Sequence, residues 1–142
     1  MKKFLLIPII GLLSLIGCTK YQSDLNTDSC KDTIIINSPK YSSTVTDDFE
    51  ISKAYIKGDC LKINVAVGGG CGTIDFTLLA REEVIETLPV QREIRLVVDD
   101  NDTCEMLINK ELSYDISGLK IAPHGSINIL LEGYEKPITY TY

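Results

Sequence analysis

The chain of 142 residues has no tryptophan, a single histidine and only two methionines. Each shortage excludes something. The lone His124 leaves no multi-histidine metal centre, and a Ser/His/Asp set would have to be built on it. It stands in Ala122-Pro123-His124-Gly125, a turn context in which an imidazole faces solvent. The five cysteines contain no Cys-x-x-Cys pair, so neither a zinc knuckle nor a thioredoxin-like redox pair is written in their spacing. No apolar run reaches the roughly 20 residues of a comfortable transmembrane helix. The glycine-rich stretch Gly68-Gly69-Gly70-Cys71-Gly72 lacks G-x-G-x-x-G spacing, a following Lys-Ser/Thr and a following helix. It reads as backbone that needs positive φ, or a bulge between two strands. Asp99-Asp100-Asn101-Asp102 offers oxygen donors for Ca²⁺, but counting from Asp100 puts Glu105 where an EF-hand loop has glycine, so a polar hairpin turn is the better reading. Adjacent carboxylates such as Glu82/Glu83 and Asp99/Asp100 are no signature in an acidic chain. No metal, cofactor or catalytic set is expected.

What the chain does have begins at its N-terminus. Met1-Lys2-Lys3 is a short basic start, and Phe4 to Ile16 is apolar, broken only by Pro8, Gly11 and Ser14. That is the pattern of a secretory signal. The run ends in Leu15-Ile16-Gly17-Cys18, which resembles the lipobox of bacterial lipoproteins. The resemblance implies cleavage between Gly17 and Cys18, a diacylglyceryl thioether on the Cys18 thiol and an acylated new amino terminus. Several acyl chains hold where one would bind only marginally. The expected organisation is a signal peptide over 1–17, a lipidated flexible tether over 18–32 and one β domain over 33–142. The expected location is the bacterial cell envelope, anchored to a membrane through Cys18, on its periplasmic side or at the surface. Without Lys2 and Lys3 the mature chain has 12 basic against 20 acidic side chains, a balance of −8. Such a domain has no electrostatic reason to bind nucleic acid.

Valine, isoleucine, leucine, threonine and tyrosine are plentiful and alanine is scarce, which favours strands. Cys60 to Val67 alternates cleanly, with Leu61, Ile63, Val65 and Val67 on one face. Thr33–Ile36, Phe49–Lys57, Thr73–Leu79, Arg92–Val98, Cys104–Leu112, Ser126–Leu131 and Pro137–Tyr142 also read as strands. Tyr41–Asp48 reads as a loop, and Ala80–Pro89 as a loop with an edge strand. No segment reads firmly as a helix. Seven or eight strands with turn signals between them point to an all-β antiparallel β-sandwich, immunoglobulin-like in architecture.

With Cys18 set aside, four cysteines remain, an even set in an exported chain, and disulfides follow. Four cysteines allow three pairings. Following strand direction from Cys60 puts Cys71 and Cys104 at one end of the sheet and Cys60 at the other, with Cys30 before the first strand. The preferred pairs are therefore Cys30–Cys60 and Cys71–Cys104.

Residues 58–120 carry Gly69-Gly70-Cys71, Ile74-Asp75-Phe76, Asn101-Asp102 before Cys104, and Leu112 through Leu119. They resemble a group of small bacterial lipoproteins that share Gly-Gly-Cys-x-x-His-x-Phe and Asn-Asp-x-Cys segments. Ile74 occupies the histidine position, so no role of that histidine transfers. The resemblance implies secretion and a shared domain, with no activity attached. Two functions remain open from the residues. The first is a non-catalytic, lipid-anchored envelope protein with a binding or structural role, its ligand open between protein and glycan, and Tyr41, Tyr134, Tyr140 or Tyr142 as candidate contacts. The second is a secreted hydrolase or thiol-redox protein, which would require a free thiol or an unrecognised site.

Overall fold

The computed structural model describes residues 29–101 and 103–142. The signal peptide, Cys18, most of the tether and Asp102 lie outside the described residues. In chain order the elements are β1 (Asp32–Thr33), β2 (Ile35–Ile36), α1 (Ser38–Ser43), β3 (Phe49–Lys57), β4 (Cys60–Val67), β5 (Ile74–Ala80), β6 (Gln91–Asp100), β7 (Ile108–Asp115), β8 (Ser126–Leu131) and β9 (Ile138–Thr141). One sheet has the order β1-β7-β4-β3 and the other β2-β5-β6-β8-β9. Alternate residues of both turn inward. Leu61, Ile63 and Val65 from the first sheet are at most 1% exposed and share a core with Ile94, Leu96, Ile127 and Ile129 from the second. Each such side chain contributes about 2 kcal/mol by leaving water.

The all-β sandwich therefore stands, with two differences. The sheets are mixed, not wholly antiparallel, because β1–β7, β2–β5 and β6–β8 pair in parallel. The last arises because β7 lies in the opposite sheet, so the chain leaves β6, crosses and returns beside it. Among the described residues the strands number nine because the β-branched run read as one strand is two pieces. Asp32–Thr33 pairs with β7 in one sheet and Ile35–Ile36 with β5 in the other, with buried Ile34 at the crossing. An immunoglobulin-like arrangement is a narrower statement than these strand orders support.

Two local readings also change. The loop expected from Tyr41 contains the end of a short helix. The Asn37 side chain accepts from the Lys40 N–H at 2.7 Å, and Pro39 sits in the first turn where no N–H is needed. The strand expected from Cys104 begins only at Ile108, while β6 continues through Asp100, a residue expected in the turn. Within 81–90 no strand forms, and the edge strand shrinks to a single bridge between Ile85 and Gln91.

The register defines two ends. Cys60 stands opposite Lys57 and Asp115 at the end where the chain enters. Val67 stands opposite Phe49 and Ile108 at the far end. Cys30 is bonded to Cys60 at the entry end, and Cys71 to Cys104 at the far end, with Cα separations of 5.5 and 5.7 Å. Two disulfides mark a domain that folds in an oxidising compartment outside the cytoplasm. No helix among the described residues is long and apolar enough to cross a membrane.

Candidate functional site

The feature that shapes the surface is a mismatch of strand lengths. β6 has ten residues and β8 six, and they pair only from Gln91 to Ile94. The upper edge of β6 is left to a strap of irregular chain that carries the fold from α1 to β3. Thr46 Oγ1 accepts from the Val98 N–H at 2.9 Å, and the Asp47 N–H donates to the Val98 carbonyl at 2.9 Å. The Asp47 carboxylate accepts from the Asp100 N–H at 2.8 Å. Lower down, the Glu132 N–H donates to the Ile94 carbonyl at 2.9 Å, where the β8–β9 turn begins. Between strap and turn lies a cleft of about 630 Å³.

One wall of the cleft is Thr46, Phe49, Glu50 and Ile51; the other is Glu132 through Lys136; Leu96 lies at the floor. The wall is thus apolar at Phe49, Ile51 and Tyr134 and acidic at Glu50, Glu132 and Glu135, against one cation, Lys136. The volume falls within the range of small-ligand and side-chain pockets. The lining contains no histidine and no cysteine.

Arg95 ties the two walls together from the outer face of the sheet. Its Nη1 donates to the Tyr41 carbonyl at 3.0 Å and to the Thr44 carbonyl at 3.3 Å, while its Nε lies 3.6 Å from Glu132 Oε2. Tyr41 is buried beneath, with the Arg81 guanidinium 4.5 Å and that of Arg95 5.8 Å from its ring centre. Burial, with the Glu132 and Glu93 carboxylates nearby, holds the Tyr41 phenol above its usual range. Arg81 is in turn fixed by Glu93 at 2.8 Å. These contacts set the position of α1 and the mouth of the cleft.

The tyrosines singled out from sequence separate by role. Tyr134 lines the cleft. Tyr41 anchors α1, and Tyr140 is buried with its hydroxyl on Asp59. The Tyr142 hydroxyl accepts from the Ile121 N–H at 2.8 Å and donates to the Ile121 carbonyl at 3.2 Å. The Tyr140 hydroxyl and the Lys120 ammonium at 3.0 Å hold the Asp59 carboxyl below the usual range. His124 is exposed in its loop, its N–H donating to the Ile121 carbonyl at 2.9 Å. Glu83 accepts from the Ser38 hydroxyl, which holds its carboxyl low. Asp99 accepts from the Asn101 amide at 3.3 Å. Among the described residues no three His, Cys, Asp or Glu side chains converge as a metal site would need.

Sequence reasoning missed Glu50, Ile51, Arg95, Leu96 and Glu132 as parts of one site. They lie on three separate segments, and no spacing links them. A hint lay in Arg95 itself, a cation on the outward phase of a strand otherwise rich in apolar residues, which asks for a partner.

The fold is that of a two-sheet β-sandwich, and it has solved counterparts. Neither a protein-family model nor a curated protein matches the chain. A protein of unknown function DUF1344 from Bacteroides vulgatus superposes with a TM-score of 0.56 at 17% identity, over 78% of this chain and 56% of that one. A NigD-like immunity protein from Bacteroides caccae superposes with a TM-score of 0.57 at 15% identity, over 78% of this chain and 58% of that one. The chain thus spans less than two thirds of either neighbour. At these identities the likeness establishes a shared fold.

Proposed function

We propose that the protein is a non-catalytic, lipid-anchored protein of the cell envelope that binds a partner, with an immunity-like role. The observation that carries this reading is the cleft, whose lining combines apolar side chains with carboxylates and has neither a histidine nor a cysteine. The four described cysteines are joined in two disulfides, which leaves the thiol-redox alternative without a thiol among them. Support also comes from the fold likeness to a NigD-like immunity protein. The membrane anchor rests on the lipobox resemblance at Cys18, and the tether then delivers the domain to the membrane by its entry end. On this reading the cleft, formed in the upper half of the sandwich, faces away from the lipid.

Replacing Cys18 by Ser in the full chain tests the anchor. Lipid labelling should disappear and the protein should leave the membrane fraction; unchanged fractionation would reject the anchor. A deletion strain tests the role. It should become sensitive to an antibacterial protein released by a neighbouring strain, and the wild-type chain should restore resistance where Cys18→Ser does not. A strain as resistant as its parent would reject the immunity reading.

A further inference from the structure

We infer that the cleft takes a cationic loop of a partner polypeptide, one that inserts a single apolar residue and bonds the peptide groups of Leu96. This deepens the binding reading above and rests on it. The phase of β6 leaves one residue of its edge open at the cleft. The Arg81 N–H donates to the Glu93 carbonyl at 3.1 Å and the Asn101 N–H to the Thr73 carbonyl at 3.2 Å. Odd-numbered residues of β6 therefore point their peptide groups at β5, and even-numbered ones at the opposite edge. On that edge Ile94 is answered by Glu132, Val98 by Thr46 and Asp47, and Asp100 by Asp47. Leu96 lies between them, and no described residue answers its N–H or its carbonyl on this side.

Leu96 is only 2% exposed and lies at the floor of the cleft. Buried peptide groups are almost always paired, so this donor and acceptor call for a partner that offers both. One residue of another chain in extended conformation does so. The slot is one residue long, because the strap above and the β8–β9 turn below bond the same edge. A long added strand is excluded and a loop tip fits.

The chemistry of the lining selects the same occupant. Phe49, Ile51 and Tyr134 give the inserted residue an apolar seat. Glu50, Glu132 and Glu135 surround it against a single Lys136, in a mature chain whose balance is −8. Glu132 is already engaged by Arg95, which leaves Glu50 and Glu135, both exposed, to meet basic residues on either side of the apolar one. Charge of this kind guides encounter and register, while the buried seat and the edge bonds hold the partner.

The test uses the full lipidated chain in detergent micelles and three acetylated, amidated pentapeptides, read by amide chemical shifts. Lys-Lys-Leu-Arg-Lys should shift Ile51, Leu96 and Tyr134. Lys-Lys-Gly-Arg-Lys should bind about tenfold more weakly for want of the leucine. Glu-Glu-Leu-Glu-Glu should shift nothing. Glu50→Lys with Glu135→Lys, both at exposed positions, should weaken the first peptide about tenfold while the remaining spectrum is unchanged. Equal binding of the glycine and leucine peptides would overturn the inference, as would the absence of shifts from any peptide. Spermidine displacing the leucine peptide at equal concentration would make the site one for small cations and overturn it too. Shifts confined to another surface, such as Met106 and Leu107, would overturn this inference and leave the binding reading standing. The deletion strain reports on that reading separately.

Discussion

The two ends of the sandwich each have a disulfide, and they are built on opposite plans. At the entry end Cys60 is 1% exposed. Its neighbour Asp59 receives the Tyr140 hydroxyl and the Lys120 ammonium on its side chain, and the Ile116 N–H on its carbonyl at 2.9 Å. This end joins the β3–β4 turn of one sheet to β9 of the other. At the far end Cys71 is exposed, and the segment after Cys104 leaves Met106 and Leu107 64% and 70% exposed. There the contacts are local. The Met106 N–H donates to the Gly69 carbonyl at 3.0 Å, and Met106 lies so close over Gly70 that a Cβ there would come within 2.8 Å of its terminal carbon. Gly70 also has φ of +120°, which a side chain would oppose. A disulfide at one end thus closes the core, while at the other it braces an exposed loop. The contrast separates a structural end from one available for contact.

The difference predicts a ranking. Removing Cys30–Cys60 by Cys30→Ser with Cys60→Ala should cost the most, about 3 to 4 kcal/mol from loop closure and more from the buried site. Removing Cys71–Cys104 by two serines frees a loop of similar length but disturbs no core, so urea unfolding should show a smaller loss. Equal losses would erase the distinction between the ends. Next comes Arg95→Ala, at about 2 kcal/mol, because two carbonyls lose a charged donor. Hydrogen exchange should then quicken in the strap and the β8–β9 turn and stay unchanged around Cys60; uniform quickening would deny that Arg95 acts on the cleft walls.

Tyr140→Phe should cost about 1 kcal/mol at neutral pH. Asp59 has a depressed folded pKa, so its contribution is present above the usual carboxylate value of about 4 and is lost as pH falls through the lower folded value. The gap between wild type and Tyr140→Phe should therefore close on acidification. Burial and Asp59 push the Tyr140 phenol up, so wild-type stability should also decline above about pH 10, as a folded phenol resists the ionisation that an unfolded one undergoes. A gap that does not vary with pH would remove Asp59 from the account. Smallest is Met106→Ser with Leu107→Ser, within about 0.5 kcal/mol. A larger loss would mean that the far end contributes to the core after all.

Much of the sandwich was legible in residues. The alternation of Leu61, Ile63, Val65 and Val67 gives β4 and its inward face, because burial on one side of a pleat forces a period of two. What stayed hidden depends on partners. Nothing in Ile34-Ile35-Ile36 marks where the chain changes sheets, since each isoleucine suits either one. Asn37-Ser38-Pro39 signals a turn as well as a helix start, and contact of Tyr41 with the sheet decides between them. The cleft was the least legible feature. It exists because β8 is shorter than β6, a difference in length between segments about thirty residues apart, which no local pattern records.

The crossing at Ile34 also has a mechanical consequence. A pull on the chain ahead of Cys30 meets a covalent bond first and passes through it to the start of β4, a strand with hydrogen-bonded neighbours on both sides. The two short pairings at Asp32–Thr33 and Ile35–Ile36 are spared that load. A load applied through the N-terminal segment would thus reach the middle of a sheet, like the pull on a kite bridled at its central spar, and would not fray the sheet at its edge.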